Sequence, residues 1–311
     1  MSKKSIVIKI VLWSLLAAFL TNILVSFILG DFGIMNISFF EPNKEKTLIY
    51  EHVFLDVEPI DGLSVKWKSG KVNVTRSEDE QIRLAEWSAY NLKESEKMNC
   101  TVLDGTLVVT QKSRWGFIYW GFGHKPSSLE LQLPEKLFKK VELSMTSGKA
   151  NINDVDCGEF SVKLTSGNVK LNGIVSNSVY INLTSGKIDG TAVITEKFMS
   201  RITSGNLNID GDIKNIDSKV TSGNTTVSTI TAPDSMDIKV TSGKIRANIP
   251  DNDGFVLYLK KTSGDFKSDF DMYSPVNGGK NEMLYKEGGN LLKAYNINIT
   301  SGRVELYKKE N

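Results

Sequence analysis

Residues 162–171 read VKLTSGNVKL. Val162 and Leu164 alternate with Lys163 before the Thr-Ser-Gly, and Val169 and Leu171 alternate with Lys170 after it. A period of two belongs to a strand with one buried face. If Val162 and Leu164 point inward, the alternation carries Ser166 inward too, yet the next apolar site, Val169, comes three positions later. A phase slip of one residue is what a corner or bulge does to a strand, and glycine tolerates the dihedrals such a bend requires. Thr165–Gly167 is therefore predicted to be a corner, with the serine hydroxyl bonding a backbone group of the next rung.

The phrase recurs. Its glycines are Gly148, Gly167, Gly186, Gly205, Gly223, Gly243, Gly264 and Gly302, and a degenerate Lys-Ser-Gly ends at Gly70. Successive intact copies are 19, 19, 19, 18, 20 and 21 residues apart, and the last interval is 38, which reads as two rungs with one decayed phrase. A fixed period of this size marks a solenoid, whose repeats bury their apolar faces by stacking on neighbours. The expected fold is all-β: a single-stranded parallel β-helix or β-solenoid with about 19 residues per rung, preceded by one transmembrane helix. Val141 to Tyr307 would hold about nine rungs, a stack roughly 40 Å tall at the usual strand spacing.

The anchor is read from Ile10–Leu29, apolar apart from Ser14, Thr21, Asn22 and Ser26, and long enough to cross one bilayer core. Lys3, Lys4 and Lys9 before it, and Asp31 and Glu41 after it, put the N-terminus in the cytoplasm and the rest outside. A cleaved signal peptide is the rival reading, set against the length of the run and the lack of an A-x-A-like site. The expected organisation is a tail and anchor over 1–30, a juxtamembrane linker over 31–46, an N-terminal β region with an aromatic hairpin or cap over 47–140, and regular repeats over 141–311. Within the β region the charged Ser77–Glu80 reads as a hairpin tip. Lys plus Arg (38) nearly balance Asp plus Glu (36), so no global basic field points to nucleic acid. Cys100 and Cys157 read as small buried hydrophobes, with a single disulfide as the alternative.

Catalytic constellations are not apparent. The sequence has no G-x-S-x-G elbow, S-x-x-K, Walker loop or H-E-x-x-H, and its two histidines, His52 and His124, are far apart. Lys261–Gly264 (KTSG) is explained by the repeat. The D-x-D pairs Asp154/Asp156, Asp210/Asp212 and Asp251/Asp253 read as turn residues of separate repeats rather than a metal or catalytic carboxylate site. The stretch that stands out is Trp115–Phe122, WGFIYWGF. Trp115, Phe117, Tyr119, Trp120 and Phe122 are expected either to cap the open end of the coil, to stack on sugar rings, or to dip into the outer leaflet of a membrane.

The recurrent [ST]-S-G-[KND]-φ-x-φ rungs, the lead-in LELQLPEKLFKKVELSMTSGKANI and the aromatic hairpin before it resemble a bacterial "putative adhesin" domain family of unknown function, over about residues 48–308. The resemblance implies a β-helix outside a bacterial membrane and supplies no catalytic residues. The expected function is thus a membrane-anchored, extracytoplasmic, adhesin-like or structural envelope protein: not an enzyme, without cofactor or metal, contacting the membrane through its helix and cell-wall glycan or another envelope protein through its coil. The alternatives are a regulatory or sensor component of an envelope-stress system, signalling through the helix, and third a glycan-active β-helix enzyme.

Overall fold

A computed structural model describes residues 46–309, apart from 119–120, 276–278, 280 and 287–292; for 115–124 only the backbone of the two hairpin strands is described. Residues from Lys46 onward form one compact unit. Among the described residues no helix is long and apolar enough to cross a membrane. The predicted anchor Ile10–Leu29 and nearly all of the linker lie outside the described residues, as do Tyr119 and Trp120.

The chain coils as an all-β solenoid, with strands in parallel register from rung to rung. Lys149 pairs with Asn168, Asn168 with Lys187 and Lys187 with Asn206, each 19 residues on. Each rung runs a first strand into the Thr-Ser-Gly, turns, and continues as a second strand that bends into the next rung. The strands Lys149–Leu164, Asn168–Leu183 and Lys187–Ile202 each carry the second face of one rung and the first face of the next. The alternation seen in the sequence fills one core: Val162, Leu164, Val169, Leu171, Ile174, Val179 and Ile181 are all buried. A second bend lies at Asp154, Gly173 and Ala192, which share left-handed backbone (φ 55, 64 and 52°) in successive rungs. The 18-residue rung drops its residue at this bend, where the register shifts between Gly190 and Val193. The glycine column therefore stays aligned although the period varies.

The chain order of the rungs is not their spatial order, and this corrects the reading of a decayed copy between Gly264 and Gly302. The last segment, Ala294–Ile299 and Arg303–Lys308, inserts between two earlier rungs. Lys244 pairs with Arg303, and Arg303 pairs in turn with Asp265. Ser235 pairs with Ala294, and Ala294 with Val256. The other end repeats the arrangement: Gly62–Trp67 and Gly70–Arg76 lie between the rung of Thr106–Thr110 and Ser127–Leu133 and the rung of Leu137–Met145. Each terminal rung thus gains two partners, whereas a rung left at the end of the stack would present an unpaired edge. Glu305, 3% exposed, clamps the inserted rung to its neighbour through Lys244 (2.8 Å) and Arg246 (2.7 Å).

The same insertion overturns the hairpin at Ser77–Glu80. Gly70–Arg76 and Ile82–Ser88 both pair with Ser127–Leu133, parallel and antiparallel respectively, so that strand separates them. Antiparallel strands then finish both ends of the stack: Thr47–Phe54 and Asn99–Leu103 at one, Glu282–Tyr285 at the other. Between the first two, residues 89–98 cross the mouth of the coil, burying Leu92 and sinking Met98 into the core. At the far end Phe255, Phe270, Tyr285 and Tyr295 pack ring on ring, 4.6 to 5.4 Å between centroids.

Candidate binding edge

The corner glycines stack in one column, in the spatial order Gly70, Gly148, Gly167, Gly186, Gly205, Gly223, Gly243, Gly302, Gly264. A Cβ on Gly167 would lie 2.2 Å from the carbonyl oxygen of Gly148, and one on Gly148 would lie 2.1 Å from that of Gly70. Close backbone approach excludes side chains here, and Gly70, Gly148, Gly167 and Gly186 also hold positive φ (99–116°). The bend does not break the ladder, because Thr165 N donates to Met145 O, Ser166 N to Thr146 O and Asn168 N to Gly148 O (2.9–3.0 Å).

The serines face outward, contrary to the inward position extrapolated from the alternation. Ser166, Ser204, Ser222, Ser242, Ser263 and Ser301 are exposed. The turn at the glycine rotates the chain before the inward set resumes, so the simple two-residue phase does not extend across Thr-Ser-Gly. Rung-to-rung bonding is carried by backbone amides; serine hydroxyls reach a neighbouring-rung carbonyl at Ser147 (Lys68 O, 3.3 Å) and Ser263 (Thr300 O, 3.1 Å).

Two shallow depressions open beside this column. One, about 360 Å³, runs along the edge past Ser222, Ser242, Ser301 and Ser263, with Lys244 and Arg303 on its wall. The other, about 510 Å³, lies on the second face over Asn73, Asn151, Asn153, Lys170, Asn172 and Asp189. Side-chain amides form ladders on that face, Asn151 donating to Asn73 (3.3 Å) and Asn224 to Asn206 (3.1 Å).

The aromatic stretch leaves the coil at the same edge. Trp115–Ile118 and Gly121–His124 form an antiparallel hairpin. It interrupts the corner of the outermost rung, between Gln111, whose N–H bonds Lys66 O, and Ser127, which pairs with Gly70. The side chains of Trp115, Phe117 and Phe122 lie outside the described residues. Gln111 takes the place of the missing corner peptide: its Oε1 accepts from Lys68 N (2.8 Å) and Ser69 N (2.9 Å), and its Nε2 donates to Ser69 O (2.9 Å).

Sequence reasoning did not single out the buried polar cluster beneath this hairpin. Arg114 and Glu86, both fully buried, form an ion pair; Ser127 Oγ donates to Glu86 (2.7 Å), and Glu86 accepts from Met98 N (2.7 Å). Arg114 also bonds Ser127 Oγ (2.7 Å) and Glu96 O (2.5 Å), which ties the 89–98 crossing to the rung below. Every group there is spent on another protein group, the arrangement of a structural lock. The sequence signal for it was one charged residue at an inward strand-phase position, Glu86 between Leu84 and Ser88; Arg114, at the foot of the hairpin, is out of phase with Leu107 and Val109 and gave none.

The D-x-D carboxylates do not converge. Asp210 pairs with Lys309 (2.9 Å), Asp212 accepts from Thr231, and Asp156 lies 4.0 Å from Arg76. Asp251 accepts from Tyr285 Oη (2.6 Å) and Lys286 (3.1 Å), and these bonds draw its carboxyl down to about 2. Among the described residues no group of three His, Cys, Asp or Glu is arranged to hold a metal. Cys100 and Cys157 are both free thiols, each pushed up to about 11 by burial. His52 packs edge-on against Phe54, centroids 4.4 Å apart.

Residues 60–307, from the first inserted rung to the last, match the family described as Toastrack DUF4097. The chain belongs to the Toastrack DUF4097 family. Comparison of this Toastrack chain with curated proteins returns no match. Among solved structures it is similar to a "putative lipid binding protein" from Parabacteroides distasonis ATCC 8503, at 16% identity and a TM-score of 0.51, covering 84% of this chain and 96% of that one. It is also similar to a "putative adhesin" from Bacteroides fragilis NCTC 9343 (12% identity, TM-score 0.38, 85% and 98% covered) and to one from Parabacteroides distasonis ATCC 8503 (14%, 0.42, 85% and 98%). The first of these shares the Toastrack coil; identity this low speaks to fold alone.

Proposed function

We propose that this chain is a membrane-anchored, extracytoplasmic binding protein of the bacterial envelope that acts without catalysis, presenting its corner edge to a partner. The observation that carries this reading is the edge itself. Nine glycines in one column hold a hydrogen-bonded ridge on which a serine recurs beside every glycine. A regular lattice of weak hydrogen-bonding groups suits an extended partner such as a cell-wall glycan, or a neighbouring envelope protein, better than a compact small molecule. The anchor is Ile10–Leu29, with the N-terminus cytoplasmic and the coil outside. The hairpin Trp115–His124, springing from that edge, supplies aromatic faces for the same contact.

Two experiments test this. Replacing residues 10–29 by an unrelated membrane helix should leave partner capture from native membranes intact; loss of capture would favour signalling through the helix and refute the reading. Trp115→Ala with Trp120→Ala should leave the fold intact and weaken glycan or liposome binding, whereas unfolding would assign the hairpin a capping role.

A further inference from the structure

Two columns of outward side chains flank the glycine column, one on the last outward position before the corner and one just after it. The first contains Lys66, Lys163, Arg201, Lys219, Lys239 and Lys260 and no acid, its other members being Thr110, Ser144, Asn182 and Asn298. The second contains Lys71, Lys149, Lys187, Lys244 and Arg303, with Asp265 at its far end. The whole chain carries a formal charge of only +2, so this edge concentrates cations that the remaining surface offsets.

The placement works against the coil's own stability. Arg201 is in register with Lys219, Lys219 with Lys239, Lys71 with Lys149, and Lys244 with Arg303, each pair one strand spacing apart. Like charges directly opposite across strands repel. Six of the eleven cations answer this by pairing with acids, five with acids of other columns, for example Lys163 with Glu142 (2.8 Å) and Arg201 with Asp217 (2.7 Å), and Arg303 with Asp265 of its own column. Lys66, Lys71, Lys149, Lys219 and Lys260 are exposed and have no ion-pair partner among the described residues. The depression along the edge opens beside the second column over four consecutive rungs, where Lys244, Arg303 and Asp265 line it.

We infer that the corner edge binds a linear polyanion, a polymer with phosphate or carboxylate groups along its backbone, laid along the glycine column between the two cation columns. This rests on the envelope-binding reading above and names its ligand class. An edge many rungs long, with exposed serines along its corner and a column of cations before and after the glycines, fits a chain that repeats its charge along its length.

The test uses the full-length chain in detergent micelles and long-chain inorganic polyphosphate as probe, with neutral dextran as control. Binding should be saturable, absent for dextran, and fall steeply with salt as counterions are released. The variant Lys66→Gln, Lys71→Gln, Lys149→Gln, Lys219→Gln, Lys260→Gln should weaken it at least tenfold and flatten the salt dependence by roughly one unit for each phosphate-contacting lysine lost. Lys140→Gln with Lys197→Gln, away from the edge, should leave it unchanged; thermal midpoints confirm that both variants fold. Absence of saturable polyphosphate binding, or equal weakening in the two variants, overturns the inference. So does binding to phosphatidylglycerol vesicles that depends on the same five lysines while polyphosphate does not bind. If polyphosphate fails but native membranes still yield a partner, the ligand class is wrong and the envelope-binding reading stands.

Discussion

Gly167→Ala should unravel the middle of the coil. Gly167 has φ 116°, backbone closed to residues with a side chain, and its added methyl would meet Gly148 O at 2.2 Å and Gly148 N at 2.8 Å. Both obstacles are backbone, so no rotamer change relieves them. Holding the strained dihedral costs about 1–3 kcal/mol. Moving Gly148 away loosens the bond from Asn168 N to Gly148 O (2.9 Å), worth about 1 kcal/mol, and disturbs Ser166 N to Thr146 O beside it. The expected loss is thus about 3 kcal/mol, concentrated in the two rungs that meet there. Guanidinium denaturation followed by far-ultraviolet circular dichroism should show it, with faster amide exchange in 149–164 and 168–183 than in 294–308. Ser166→Ala, at an exposed side chain of the same corner, is the control and should fall within about 0.5 kcal/mol of the parent. A loss below about 1 kcal/mol for Gly167→Ala would refute the claim that glycine is required by backbone approach.

Deleting residues 294–311 removes an internal rung, so Phe255–Lys261 and Asp265–Ser268 should lose their main partner and become protease-sensitive; in a coil stacked in chain order the same deletion would trim an end and leave them protected. Arg114→Ala leaves Glu86 charged and buried and should cost about 3–5 kcal/mol in chemical denaturation, whereas the paired change Glu86→Leu with Arg114→Met should recover most of it. Thr225 is buried in an otherwise apolar column between Leu207 and Ile245 with its hydroxyl unbonded, so Thr225→Val should raise stability by about 1 kcal/mol in the same assay. Asp251 is held at about 2, below its ordinary 3.8, by Tyr285 and Lys286, so its contribution is present above pH 4 and lost as pH falls toward 2. Thermal midpoints measured from pH 5 to pH 2 should therefore fall less for Asp251→Asn than for the parent.

The coil and its corners were legible in the chain because both are local. Lys163 between Val162 and Leu164 declares a two-residue period, and a glycine every 19 residues declares where it is interrupted; each signal is written within a few residues and copied down the sequence. The outward turn of the serines was misread because the alternation was carried through a bend that rotates the chain, and the bend's geometry is a property of the stacked backbones. Rung order was hidden for a stronger reason. Parallel pairing is indifferent to which copy lies next when every copy offers the same edge and the same apolar columns, so backbone and core allow Arg303 the place beside Lys244 that chain order would give Asp265. Only the closed tertiary structure, in which unpaired edges and exposed cores at both ends must be covered at once, decides that the first and last rungs are tucked inside. The Glu86–Arg114 lock and the two cation columns are of that kind too. Their neighbouring members lie 18 to 78 residues apart in sequence, and coiling alone brings them side by side.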